Sequence, residues 1–254
     1  MKALILAAGY GNRMKPLTNN CHKTLLKIGD KTILGRIIDS LISNDIREII
    51  IATGYLDEDI REFCSLQYPE IKFEYVYNDK FKTTNNIYTL ALVFETIHFA
   101  EDLILIESDL IYDELVIDRL LKNPNKNVAL VSKYTPGLDG TVVSLSSSKQ
   151  INSVYPPHLQ NEGFDILTKY KTLNIYKFSK DYINNDLKNL LVYYAKTIDD
   201  NCYYELIVGL LIYMQKKYIS AEIIDRDLWE EVDDPNDLRI ANFRFNPNKK
   251  LEIL

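Results

Sequence analysis

The stretch Leu4–Leu26, LILAAGYGNRMKPLTNNCHKTLL, decides how the rest of the chain is read. Its apolar run, Leu4 to Ala8, has the composition of a buried strand and stops at Gly9. A turn follows with Gly9 and Gly11 on either side of Tyr10, and then the cations Arg13, Lys15 and Lys23, interleaved with Pro16 and Thr18. Glycine lets a backbone approach an anion closely and aim successive N–H groups at it. Strand, glycine turn and nearby cations together are how an α/β protein holds phosphates, so this stretch is a candidate triphosphate cradle. Spacing excludes two common nucleotide loops. A P-loop needs a glycine–lysine–hydroxyl run that is absent here, and the dinucleotide fingerprint needs glycine where the chain has Met14.

Composition bounds the rest. The 254 residues are 46% hydrophobic and 26% charged, ordinary for a globular enzyme with a substantial core. A formal net charge of -6 argues against a general nucleic-acid binder, which wants a basic face. Cys21, Cys64 and Cys202 are far apart and odd in number, so they suggest neither a disulfide framework nor metal pairs. Cys21 lies beside the loop but is read as a small residue rather than a reactive thiol. No apolar run is long enough to span a membrane, and the start MKALILAAG is too short in its apolar part to be a signal peptide. A cytoplasmic setting is expected.

The chain beyond the loop alternates. Thr32 to Asn44 has helical apolar spacing, Glu48 to Thr53 is a buried strand, and Asp57 to about Leu66 is a helix with acids in its first turn. Lys72 to Tyr77, Asn85 to His98 and Asp102 to Ile106 predict strand, helix and strand. The expected fold is a Rossmann-like α/β protein: an open, mostly parallel mixed sheet with helices on both faces and a small acceptor-binding lobe. Ligands then sit at the carboxyl ends of strands, where Gly9, Gly54 and Asp109 fall. After about residue 126 the pattern changes to strands at Asn127–Lys133, Thr141–Leu145, Ile151–Tyr155 and Thr172–Phe178. Helices at Asp181–Ala195 and Tyr203–Lys217, a strand at Ala221–Ile224 and a helix at Asp234–Phe243 complete it. One domain is expected over 1–254, its first half (about 1–126) for nucleotide and its second (about 127–254) for acceptor. The abrupt NKKLEIL end suggests a piece of a longer multidomain protein.

LAAGYGNRMKPLT followed by Lys23 resembles the signature of the nucleoside-triphosphate transferases, which pass a nucleotidyl group to a phosphorylated acceptor. The resemblance implies that Arg13 grips the outgoing pyrophosphate and that Lys23 bridges the α-phosphate and the acceptor. Arginine suits the former through its bidentate fork. The resemblance further implies that Asp109, after the strand Leu103 to Ile106, is a metal ligand, although relatives often have glycine where this chain has Ser108. WEEVDDPND, Trp229 to Asp237, resembles the late acidic element of the same family, whose central aspartate maps onto Asp233. Glu231, two residues earlier on the same side of an extended strand, is a further ligand candidate. Asp234 is expected to cap the last helix with Pro235 at its first position, and Asp113 to cap another. Mg²⁺ is the expected cofactor, because it takes one or two carboxylates plus phosphate oxygens.

HKTLL, with His22 where most relatives have proline, resembles the branch that activates phosphocholine or 2-aminoethylphosphonate with CTP. His22 itself is read as structural. Thr53-Gly54-Tyr55 and NDKFKTTNNIYTL match that branch as well, which implies a base pocket from Thr53, Gly54, Tyr55, Asn85 and Asn86. Backbone groups of Ala7, Ala8, Gly9 and Gly11 would read the base or cradle phosphate. On the acceptor side, Lys133 at a strand end could hold the phosphate or phosphonate, and Asp139 and Glu205 could face an ammonium. The 18 tyrosines leave room for an aromatic cage from Tyr155, Tyr170, Tyr176, Tyr203, Tyr204 and Trp229. The expected activity is Mg²⁺-dependent transfer of CMP from CTP to a small amine-bearing phosphonate or phosphate. No nucleic acid or membrane partner is expected; a homodimer and a fused second enzyme domain are both open. The rival readings are a sugar-1-phosphate nucleotidyltransferase and a nucleotide-binding regulatory domain without chemistry.

Overall fold

The computed structural model describes residues 1–215 and 218–246, and one sheet in it carries strands from both halves of the chain. The sheet runs in the order Ile151–Tyr155, Val142–Leu145, Tyr170–Phe178, Leu103–Glu107, Lys2–Ala7, Glu48–Thr53, Lys72–Tyr77. From Leu103–Glu107 to Lys72–Tyr77 neighbouring strands are parallel. Tyr170–Phe178 reverses the direction and pairs antiparallel with Leu103–Glu107, Val142–Leu145 and Val128–Lys133. Val128–Lys133 pairs in turn with Ser220–Ile223, in parallel. The expected mixed sheet is therefore present, with its four neighbouring parallel strands built by the first half of the chain and one further parallel pair by the second.

The apolar strands feed two cores. Along the first strand Ala3, Ile5 and Ala7 face one core and Leu4 and Leu6 the other, as the period of two requires. Helices Ile33–Ile42 and Asp57–Gln67 close the first face through Leu34, Ile37, Ile38, Leu41, Ile60 and Cys64. Asn86–Thr96, Lys188–Thr197 and Glu205–Tyr213 close the second. Thr32 caps the first of these helices, its hydroxyl accepting from Gly35 N at 2.9 Å, which contributes about 1 kcal/mol. Among the described residues no helix is long and apolar enough to cross a membrane.

Two features depart from the expected elements. A short antiparallel pair, Leu110–Tyr112 with Trp229–Glu231, joins segments far apart in sequence, and Val232 N donates to Asp109 O at 2.8 Å beside it. The helical segment after Ser179 starts at Lys180 and includes a π-helical turn, Ile183–Leu187, before it continues to Thr197. The helix expected to reach Lys217 spans Glu205–Tyr213; Lys217 and the NKKLEIL end lie outside the described residues.

Candidate active site

A cavity of about 410 Å³ opens at the carboxyl ends of the parallel strands, walled by Ala8, Gly9, Gly11, Arg13, Lys23 and Asp109 at one end. The loop that forms this end is held from behind. Gly11 sits at φ 63°, a left-handed conformation that favours glycine, and Thr18 Oγ1 donates to its carbonyl at 2.8 Å. Gly54 packs so closely that a Cβ there would lie 2.7 Å from the Ala8 carbonyl oxygen. Tyr55 N donates to that carbonyl, and the Tyr55 hydroxyl donates to the carbonyls of Thr18 and Asn19 at 2.9 and 3.0 Å. Thr53 is buried and its hydroxyl bonds Asp57. Thr53, Gly54 and Tyr55, expected to touch the base, thus brace the loop and are not among the residues that wall the cavity; nor is Ala7.

The cations and carboxylates of the loop end form one network. Lys23 opens a short 3-10 turn capped by His22, whose Nδ1 accepts from Thr24 N at 3.2 Å; the ring proton therefore sits on Nε2. Burial and the adjacent Lys23 charge push the His22 pKa down to about 4. A neutral ring held by its backbone fits the structural role expected of it. Lys23 Nζ donates to Asp109 Oδ2 and Asp233 Oδ1, both at 3.0 Å, while Arg13 Nη2 meets Asp233 Oδ2 at 2.9 Å. Burial opposes the Lys23 charge, but the two carboxylates outweigh it and raise its pKa. Burial likewise pushes Asp233 up, and Lys23 and Arg13 together pull it below its ordinary value.

The short strand pair explains why residues so distant in sequence meet. It sets Glu231 opposite Leu110, so that Asp109 and Asp233 leave the ladder side by side. Downstream, Asp234 caps Pro235–Phe245 in a reciprocal capping box with Asp237, whose carboxylate also accepts from Asp233 N at 3.0 Å. Asp113, expected to cap a helix, accepts from Leu115 N at 3.0 Å one residue ahead of Glu114, the N-cap of Leu115–Lys122. The donor set suits a hard divalent cation. Asp109 and Asp233 converge on one point, Asp109 Oδ1 is buried without a hydrogen-bond partner, and carboxylate oxygens of Asp139, Glu231 and Asp233 lie within 4.8 Å of one another. Asp139, expected to face the acceptor, instead joins this acidic group and lies 3.9 Å from Arg13 Nη1.

The same cavity is also walled by Asn85, Asn86, Glu107, Thr141, Lys171, Asn174, Tyr203 and Glu205, with Lys171 reaching back to Glu231. Asn85 caps Asn86–Thr96 through its side chain. Asn86 Nδ2 donates to Glu107 Oε1 at 3.0 Å, and its Oδ1 accepts from Tyr204 N at 2.9 Å. Burial and the neighbouring Glu205 charge hold Glu107 well above the usual carboxylate range; burial also raises Glu205. Lys171 is 1% exposed, pairs with Glu231 at 3.3 Å, and has its Nζ against the spot a Cβ of Gly140 would fill. Burial pushes Glu231 up to about 7, against the pull of Lys171.

Lys133 is set apart from the cavity by the register. It is exposed at the end of its strand and does not wall the cavity; Tyr170 lies opposite it, so Lys171 projects to the other face. Lys171, Glu107, Thr141 and Asn174 were not singled out from sequence. The one signal was a lysine and an asparagine inside the otherwise strand-like run KTLNIYKF. The imagined aromatic cage is also absent from the wall: Tyr176, Tyr204 and Trp229 are core residues, and of the six aromatics only Tyr203 faces the cavity.

The chain is similar to known proteins along most of its length. The chain is 28% identical over 251 residues to the CMP-5'-(3-aminopropyl)phosphonate synthase of Streptomyces rubellomurinus, covering 98% of the chain but 40% of that protein. It is 28% identical over 261 residues to the choline-phosphate cytidylyltransferase of Haemophilus influenzae, covering 98% of the chain and all of that enzyme. In fold it is similar to the CTP:phosphocholine cytidylyltransferase of Streptococcus pneumoniae, with a TM-score of 0.76 at 20% identity over 95% of this chain and 97% of that one. Residues 2–137, which contain the glycine loop, Lys23 and Asp109, match the Nucleotidyl transferase family model, and the chain belongs to that family.

Proposed function

We propose that this domain transfers CMP from CTP to a small phosphonate or phosphate that bears an amine, and releases pyrophosphate. What carries the reading is one cavity that combines a phosphate loop, two cations and paired carboxylates with a further lysine and the carboxylates of Glu107 and Glu205. The names of the relatives support the same reaction class, since they couple CTP-derived nucleotide to phosphocholine or an aminoalkylphosphonate.

In the reaction an oxygen of the acceptor attacks the α-phosphorus of CTP in line. The new P–O bond forms as the bond to the β-phosphate oxygen breaks, and the electron pair leaves on pyrophosphate. The acceptor is already an anion, so no base is needed; charge neutralisation is the task. Arg13 meets the leaving pyrophosphate, Lys23 the α-phosphate and incoming oxygen, and Lys171 the acceptor phosphonate. Asp109 and Asp233, with Glu231 beside them, would hold Mg²⁺, which when bound supplies Lewis-acid neutralisation of phosphate oxygens. Three free cysteines suit a reducing, cytoplasmic setting.

Pyrophosphate release measured over a grid of four nucleoside triphosphates and several acceptors tests the reading. Release is expected with CTP and 2-aminoethylphosphonate or phosphocholine. Release only with UTP or dTTP and a sugar phosphate would replace it with the sugar-nucleotide reading.

A further inference from the structure

Of the five acids in Trp229–Asp237, four already have a part. Glu231 meets Lys171, Asp233 meets Lys23 and Arg13, and Asp234 and Asp237 close the start of the last helix. Glu230 is the fifth. It alternates with Glu231 along the short strand, does not wall the cavity, and is 5% exposed. A buried carboxylate needs charged or hydrogen-bonding partners. Glu230 has two: Arg226 Nη2 on its Oε1 and Arg244 Nη1 on its Oε2. Both guanidiniums are tied down in turn. Arg244 Nη2 donates to the Arg226 carbonyl at 2.7 Å. Arg226 donates to the Trp229 carbonyl and lies 4.6 Å from the centre of that buried indole.

The ladder that carries Glu230 needs such support. Asp109 and Asp233 are aligned by three residue pairs, Trp229–Glu231 against Leu110–Tyr112, and a two-stranded ladder is marginal on its own. The helix Pro235–Phe245 grips this strand at both of its ends. At its start Asp237 accepts from Asp233 N and Asp234 N at 3.0 and 3.1 Å; in its last turn Arg244 takes Glu230. The helix is itself mounted on the first half of the chain. Asn242 Oδ1 accepts from Gly29 N at 3.1 Å, and Arg36 donates to the carbonyls of Ile28 and Phe245. Groups that fix the backbone of a liganding carboxylate decide how tightly it holds a cation.

Resting on the reading of Asp109 and Asp233 as the holders of a divalent cation, we infer that Glu230, Arg226 and Arg244 form a clamp that fixes Asp233 against Asp109. They are positioning residues for the cation. None of the three walls the cavity, so they act through the strand they hold. The last helix is then a brace for the site as well as part of the core.

The test titrates Mn²⁺ alone into wild type, Glu230→Gln, Arg244→Met and Thr32→Ala, with free Mn²⁺ counted by electron paramagnetic resonance. Glutamine keeps the shape of Glu230 and removes its charge, whereas Thr32→Ala costs stability through an unrelated helix cap. Hydrogen exchange of the amides of 229–237 is followed on the same proteins, at a temperature where thermal unfolding shows each to be folded. The Mn²⁺ dissociation constant should rise about 10-fold or more in both clamp variants, and the 229–237 amides should exchange faster. In Thr32→Ala both quantities should stay within about twofold of wild type. Arg244→Lys, which keeps the charge and loses the second donor, replaces a clamp variant that does not fold and should show the same rise in smaller measure. Unchanged Mn²⁺ affinity in the folded clamp variants overturns the inference, as does an equal loss in Thr32→Ala. Should wild type bind no Mn²⁺, the metal reading fails separately. Exchange then decides the clamp by itself: faster exchange of 229–237 in Glu230→Gln supports it, and protection equal to wild type overturns it.

Discussion

At the glycine-loop end of the cavity Arg13, Lys23, Asp109 and Asp233 satisfy one another, whereas at the acceptor end Glu107 and Glu205 lack an ion pair among the described residues. The two ends therefore handle charge differently. The cations of the loop end are engaged by carboxylates and would exchange partners when a nucleotide arrives, turning to its phosphates. At the acceptor end burial raises both carboxylates, and the neighbouring Glu205 adds to the rise at Glu107.

Substitutions can break this contrast, starting with the loop end, where the effects are largest. Asp109→Asn and Lys23→Met should each lower kcat/KM by about 10³-fold or more in steady-state pyrophosphate release, because both act on charge that develops in the transition state. Of the two, Lys23→Met should also lower Tm, since it removes the cation between Asp109 and Asp233 and leaves Asp233 with Arg13 alone. Lys171→Met should cost about 10²-fold, expressed mainly as acceptor KM with CTP binding retained. A loss of CTP affinity instead would move Lys171 to the nucleotide side.

His22 sharpens the contrast from the stability side. Its folded pKa is near 4 against an ordinary 6.5, so between those values the unfolded chain binds the proton and the folded chain does not. The contribution is complete above pH 6.5 and lost as pH falls toward 4. Between pH 7 and 5 wild type should lose about 2 kcal/mol from this source, and His22→Asn, which keeps an acceptor for the turn, should lose less, as urea unfolding at the two pH values would show. Equal losses would mean that His22 protonates normally in the fold. The smallest effect is expected at Lys133→Ala, where turnover should stay within about twofold of wild type because the side chain is exposed and outside the wall. A large loss there would restore the sequence-based assignment of the acceptor phosphonate to Lys133.

The legibility of the molecule divides along the same line. Glu48–Thr53, Lys72–Tyr77 and Ile151–Tyr155 are found where the sequence predicts strands, and the glycine turn with Arg13 and Lys23 is compressed into Leu4–Leu26, so for these the local pattern suffices. The acceptor end is assembled by pairing between distant strands. Whether Lys133 or Lys171 enters the cavity depends on a one-residue register, which no local composition encodes. The pair Leu110–Tyr112 and Trp229–Glu231 has three residues in each strand, too few for a periodic signal, yet it is what brings Asp109 to Asp233. Tyr176, Tyr204 and Trp229 looked like cage residues because aromatic content does not reveal facing; all three fill cores. Thr53, Gly54 and Tyr55 are real parts of the site's construction, but they shape the loop rather than the cavity wall.

The central claim is that the two ends of this cavity join two phosphorus centres. Phosphorus NMR of CTP, Mg²⁺ and 2-aminoethylphosphonate incubated with the protein observes that bond directly. The account predicts a new pair of mutually coupled resonances, one phosphonate and one phosphate, growing in step with free pyrophosphate and absent with Asp109→Asn. A CTP spectrum that stays unchanged with wild type, or that decays to CMP and phosphates with the phosphonate signal unshifted, would contradict it.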